Sequence, residues 1–235
     1  MSLSELIKDP QKIQEIINSK LYRWGGIKSK EDLELVRILL HYTGNSKDIF
    51  TYLSYTKEKL DEELENKLFE SPENTLYYII TVIKDRYPKA EQVLVKKLEV
   101  AFEYASKILY GRFYEGEDLI SKNSKYSLKY ALEIIGGRFE KGEDALAQNS
   151  LSSLKYALLI MKGRFEKGEI SISKRSDTSF IYTTRILRDR FKEGERAIIK
   201  NKTYLQNYVK FLKEIGKLEE FLNDYPRVKK KLKIQ

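Results

Sequence analysis

Apolar and polar residues alternate along this chain in one rhythm that returns many times. In the stretch SKYSLKYALEIIG, Leu128, Ala131, Leu132 and Ile135 fall at i, i+3, i+4 and i+7, which is one face of a helix. Tyr130 and Ile134 widen the stripe. Asn123 or Ser124 supplies an N-cap, and Gly136 with Gly137 supplies a stop where left-handed backbone is easiest. A turn, GRFEKG, leads into a second and shorter apolar pattern, GEDALAQN. Glu143 and Asp144 stand in its first turn, the end of a helix that favours negative charge. Lys96, Lys122, Lys174 and Lys200 stand at the far end of the equivalent helices, with Gln148 in that place here. A helix of about seven residues is unstable alone in water, so it must pack on its neighbours.

This helix pair is one copy of a repeat with a period of 26 residues and no insertions. Tyrosine returns at Tyr78, Tyr104, Tyr130, Tyr156, Tyr182 and Tyr208. Arginine returns at Arg86, Arg112, Arg138, Arg164 and Arg190, each followed by an aromatic: Tyr87, Phe113, Phe139, Phe165 and Phe191. Glutamate returns at Glu91, Glu117, Glu143, Glu169 and Glu195, preceded by Ala90 and then by Gly116, Gly142, Gly168 and Gly194. Units that cannot bury their own apolar face bury it by stacking, which predicts an all-α solenoid of five to six short helix pairs. The phenylalanines are expected between successive units, largely buried.

The first 73 residues lack this motif. Asp9 followed by Pro10 opens the helical stretch PQKIQEIINSKL, and Ser29 with Asp32 caps KEDLELVRILLHYTG, stopped by Gly44. Ser46 opens KDIFTYLSYTKEKLDEELENKLFE, read as one long helix ending before Ser71 and Pro72. Trp24, in YRWGG, is read as a hydrophobic plug at a helix–helix turn. The domain organisation expected is therefore a non-repeating helical capping segment over 1–73, the repeat array over 74–209, and a closing helix with a basic tail over 210–235. Gly216 stands where the next arginine would fall.

The pattern Y-A-x(6)-R-F-x-x-G-E, carried by Tyr104, Ala105, Arg112, Phe113, Gly116 and Glu117 and again at each step of 26, resembles helical repeats in proteins of large DNA bacteriophages and giant viruses. The last copy departs, with Thr183 for alanine, and the turn proline is present only as Pro88. The resemblance covers roughly residues 74–209 and implies the repeat architecture and a viral source. It carries over no catalytic residue.

Composition narrows the chemistry. Cysteine is absent and His41 is the sole histidine, which removes disulfides, thiolate metal sites and cysteine nucleophiles and leaves no conventional zinc site. No apolar run approaches the about 18 residues of a membrane span, and the N-terminus has no basic-then-apolar leader. The expectation is a cytoplasmic protein, in the host cytoplasm if viral, with no membrane partner and no cofactor. The charge is uneven. Residues 1–73 hold 11 basic and 14 acidic residues, whereas the whole chain is net +9. The tail RVKKKLKIQ adds five positive charges in nine residues. Such a balance attracts acidic proteins or nucleic acid.

The glycine-rich GGRFEKGEDALAQN has the glycine spacing of a phosphate loop, but Glu143 and Asp144 stand where Lys and Ser or Thr belong, and no strand precedes it. The arginine and glutamate ladders share one register, as an internal pair requires; arginine's fork suits bonds to helix carbonyls, to the glutamate five residues on, or to its equivalent in the next unit. The tyrosine ladder is read as core, with its hydroxyls at the rim. Basic residues that vary between copies decorate a surface instead: Lys125, Lys129, Lys155, Lys162, Arg185, Arg188 and Lys192 are the candidate binding residues. No acid–base or metal constellation converges. The chain is expected to be a non-enzymatic scaffold that binds or blocks a host protein, with a nucleic-acid or nucleotide-binding solenoid as the alternative.

Overall fold

The computed structural model describes residues 3–23 and 25–232, which leaves Trp24 and Lys233 outside the described residues. Among the described residues the chain is all helical, with no strand, and sequence-adjacent helices pack as pairs. No helix among them is long and apolar enough to cross a membrane. The chain divides into two compact units, Met1–Gly116 and Glu117–Gln235.

The first unit opens with α1 (Leu3–Leu6), α2 (Pro10–Leu21), α3 (Lys30–Thr43), α4 (Ser46–Thr56) and α5 (Glu62–Leu68). Asp9 and Ser29 accept backbone N–H bonds from Lys12 and Asp32. The core gathers Ile13, Ile17, Val36, Leu39, Ile49, Leu53, Leu64 and Leu68, all fully buried. The long helix expected after Ser46 is two helices, α4 and α5. Asn45, not Ser46, caps α4, accepting from Asp48 N–H at 3.0 Å. The chain breaks at Lys57, which adopts the left-handed conformation at φ 53°, and Asp61 recaps α5 through Leu64 N–H. Arg37 of α3 holds this break from outside, reaching Glu58, Asp61 and the Lys59 carbonyl.

The repeats follow. In the first unit α6 (Pro72–Tyr78) pairs with α7 (Pro88–Leu94), and α8 (Leu98–Tyr104) leads to α9 (Tyr114–Ile120), which contains the unit boundary. The second unit continues with α10 (Ser124–Lys129), α11 (Glu143–Ala147), α12 (Ser150–Tyr156), α13 (Glu169–Ile172), α14 (Ser176–Tyr182), α15 (Lys192–Lys200) and α16 (Lys202–Glu214). Asn123, Asn149 and Asn201 cap the first helix of their copies. Each of these first helices from α6 to α14 does not simply end but widens into a π-helical turn: Ile79–Ile83, Ala105–Leu109, Tyr130–Ile135, Ala157–Met161 and Thr183–Leu187. A left-handed residue then closes every one: Lys84, Tyr110, Gly136, Lys162 and Arg188. Only one of the five is glycine.

The buried stripe lies one position from where the apolar pattern placed it. Ser127, Tyr130 and Ala131 are fully buried, whereas Leu132 is 37% exposed and Leu128 only half-buried. The reason is close packing. A Cβ on Gly142 or Gly168 would lie 2.6 or 2.5 Å from the neighbouring Phe139 or Phe165 ring and 2.7 Å from Ser127 or Ser153. Only a small residue fits the facing helix there, and its hydroxyl is satisfied: Ser127 and Ser153 donate to the carbonyls of Ile120 and Leu146 at 3.1 and 2.8 Å.

The second unit ends with α17 (Leu218–Asp224) and α18 (Pro226–Leu232), so the basic segment expected as a tail is helical through Leu232. Gly216 turns the chain at φ +69°, and Tyr208, Leu212, Phe221 and Val228 close the core.

Candidate functional site

The repeated residues form one network. Arg138 donates from Nε and Nη2 to both oxygens of Glu143 at 2.6 and 3.2 Å, a bidentate pair. Arg86–Glu91, Arg164–Glu169 and Arg190–Glu195 repeat that geometry. The tyrosine of the following copy completes it. Tyr156 donates its hydroxyl proton to Glu143 at 3.2 Å and accepts the Phe139 backbone N–H at 3.0 Å. Tyr104 does the same with Glu91 and Tyr87 N–H, and Tyr182 with Glu169 and Phe165 N–H. Tyr130 and Tyr208 reach Glu117 and Glu195. The hydroxyls expected at the rim therefore point inward: all six repeat tyrosines are fully buried. Five of the six rings also meet the aromatic of their own copy, as in Tyr156 on Phe165 at 5.1 Å, and Tyr208 meets Phe221 instead. The four phenylalanines are buried.

The network also runs one unit further toward the N-terminus than the motif. Glu65 accepts from Tyr78 at 3.0 Å, and in place of an arginine it meets the Tyr87 hydroxyl and Lys89. At the other end α17 covers Arg190, whose Nη2 reaches Asp224 at 2.7 Å beneath the Phe221 ring. Charge and burial act on these groups together. The bond from Arg86 holds the Glu91 carboxyl below the usual carboxylate range. Burial opposes the charge on Glu169, and bonds from Arg164 and Tyr182 outweigh it, so that carboxyl is lowered as well. Burial, reinforced by the adjacent glutamates, pushes the Tyr104 and Tyr156 hydroxyls up to about 12. The Glu carboxylates and Tyr hydroxyls are engaged inside the network, while the outer edges of Arg86, Arg138 and Arg164 face solvent.

Residues that the copies do not share line a groove on the surface. In the second unit α10 and α12 lie side by side, and a groove of about 370 Å³ runs between them. Lys125, Lys129 and Lys155 rim it, and Leu128, Leu132, Leu151 and Leu159 line it. Leu151 and Leu159 are 47% and 53% exposed. Sequence reasoning missed these leucines. Their signal was in the register: Leu151 stands where other copies carry Glu99, Lys125 and Asp177, and Leu159 where they carry Lys107, Glu133 and Arg185.

The other candidate cations lie outside this groove. Lys162 and Arg188 are the left-handed residues that close the π turns after α12 and α14. Arg185 lies on the π turn after α14, exposed, and Lys192 opens α15 at 3.8 Å from Asp224. The seven residues therefore do not form one cluster. A second hollow of the same unit, about 640 Å³, gathers cations outside the candidate binding set: Lys174, Arg175, Arg196 and Lys200. Arg175 is held there by a bidentate bond to Asp177 at 3.0 and 2.6 Å.

His41 bridges Asp61 at 3.3 Å and Glu63 at 3.2 Å on the surface of the first unit. Among the described residues no group of three or more His, Cys, Asp or Glu side chains is arranged to hold a metal ion. No protein-family model, no curated protein and no solved structure matches this chain.

Proposed function

We propose that this chain is a non-enzymatic scaffold that binds a protein partner through the groove between α10 and α12. The observation that carries this reading is the division of labour among its residues. Arginine, glutamate and tyrosine, the side chains with the most chemistry, are engaged within the turns. Three of the large apolar side chains left exposed, Leu132, Leu151 and Leu159, lie together beside lysines in one concave strip, the composition of a docking surface rather than of a solvated face. The viral resemblance of the repeat supports a host component as the partner, met in the host cytoplasm and bound or blocked there. The test is affinity purification with the wild-type chain and with Leu132→Asp/Leu151→Asp. One stoichiometric protein should be captured by the wild type and lost with the variant at unchanged melting temperature. Equal capture by both contradicts the reading.

The cation-lined hollow of Lys174, Arg175, Arg196 and Lys200 favours a second reading, nucleic-acid or nucleotide binding through phosphate contacts. Four such contacts to duplex DNA would give a slope of log affinity against log salt of about −3 to −4. No binding to any RNA or DNA at low salt removes this alternative.

A further inference from the structure

The chemistry of the lysine–leucine groove also specifies its occupant, an inference that rests on the protein-binding reading above. We propose that the groove between α10 and α12 receives an acidic amphipathic helix, its apolar side chains on the leucines and its carboxylates between the lysines.

The first argument is charge. Three ammonium groups rim the groove and no carboxylate lines it. The Tyr126 ring lies 6.0 Å from the Lys125 Nζ and 5.9 Å from that of Lys129, an attraction that helps hold both over the rim. The groove at the same registers in the first unit, between α6 and α8, is built differently. It carries Glu73, Glu99 and Glu103 with Lys97 and Lys107, and its lysines are answered from within: Lys97 pairs with Glu73, and Lys107 with Glu103 at 2.7 Å. The same fold therefore supports a self-neutralised groove. The one between α10 and α12 has no carboxylate in its lining to answer Lys125 and Lys155.

The second argument is shape and polarity. Leu151, Lys155 and Leu159 follow one another at i, i+4 and i+8 on α12 and its π turn, facing Leu128 and Leu132 at i, i+4 of the neighbouring helix. Two such ridges enclose a furrow into which the ridge of a third helix packs. From Lys125 to Leu132 is seven residues, about 10 Å of helix, or two turns of a partner. Nucleic acid fits this floor less well: it offers leucines where bases need aromatic platforms or hydrogen-bonding edges.

The test uses the full chain and a labelled helical peptide, EELLEELLEELLEE, with its lysine analogue KKLLKKLLKKLLKK and a serine analogue as probes, read by fluorescence anisotropy. The acidic peptide should bind the wild type at least about tenfold more tightly than either analogue. Lys125→Glu/Lys155→Glu, both at exposed sites, should weaken the acidic peptide and favour the lysine analogue, with circular dichroism unchanged. If the wild type binds the serine or lysine analogue as well as the acidic peptide, and Leu151→Asp abolishes all binding, the acidic partner is wrong while the protein-docking reading stands. If no peptide binds, or Leu151→Asp changes nothing, both fail. Lysine-dependent binding of an oligonucleotide or of anionic vesicles without any of the peptide also overturns the proposal.

Discussion

The tyrosine hydroxyl is the smallest feature on which this fold depends. Tyr156 joins two copies by donating to Glu143 and accepting from Phe139 N–H. Tyr156→Phe keeps the ring on Phe165 but leaves a buried N–H without a partner and Glu143 one donor short, a loss of about 1–3 kcal/mol. Tyr114→Phe, at a 66% exposed site, should leave the melting temperature unchanged; equal effects would refute the network's role. The same groups set a pH window. Glu91 and Glu169 ionise more readily folded than unfolded, so their contribution is complete above about pH 4.5. It is lost as pH falls through their lowered values. Tyr104 and Tyr156 hold their protons more tightly in the folded state. Their contribution is whole below about pH 10 and is lost as pH rises through about 12. Thermal melts across pH should give a plateau that falls at both ends, with tyrosinate absorbance appearing late on the alkaline side. A melting temperature that holds below pH 4 contradicts the assignment.

At the scale of the element, the helices were legible where residue type decides them. Asn123, Asn149 and Asn201 cap as their side chains predict, and Asp9, Ser29 and Ser71 do likewise. What went unread was backbone conformation that residue type does not record. The break after α4 is made by a left-handed lysine, with no Gly or Pro to announce it. The π turns have the same cause: Lys84, Tyr110, Lys162 and Arg188 take a conformation that glycine would take at less cost. Lys162→Gly should therefore stabilise the fold by roughly 0.5–1 kcal/mol despite removing a side chain. Gly168→Ala should act oppositely, by about 1–3 kcal/mol, because its Cβ would lie 2.5 Å from Phe165 and 2.7 Å from Ser153. Denaturant titration of the two variants checks both signs, and the same sign for both contradicts this account of the turn.

Across the whole molecule, the period of 26 carried the architecture into view, because a repeated motif implies a repeated contact. The arginine–glutamate register was visible for that reason. The tyrosine's bond to the preceding copy was not, since a residue 13 positions from its glutamate looks no different from a core aromatic. The binding groove was half legible. Lys125, Lys129 and Lys155 stood out as charges the copies do not share, and the leucines beside them passed as ordinary helix residues until their exposure was seen. The central claim is that shared residues build the scaffold and unshared ones bind. The most direct test pairs Arg138→Ala with Lys125→Glu/Lys155→Glu, measuring melting temperature and affinity for the acidic helix on each. Arg138→Ala should lower the melting temperature and spare affinity in the still-folded protein; the double lysine variant should lower affinity about tenfold or more at unchanged melting temperature. The reverse pattern, with Arg138 needed for binding and the lysines for stability, would contradict the account.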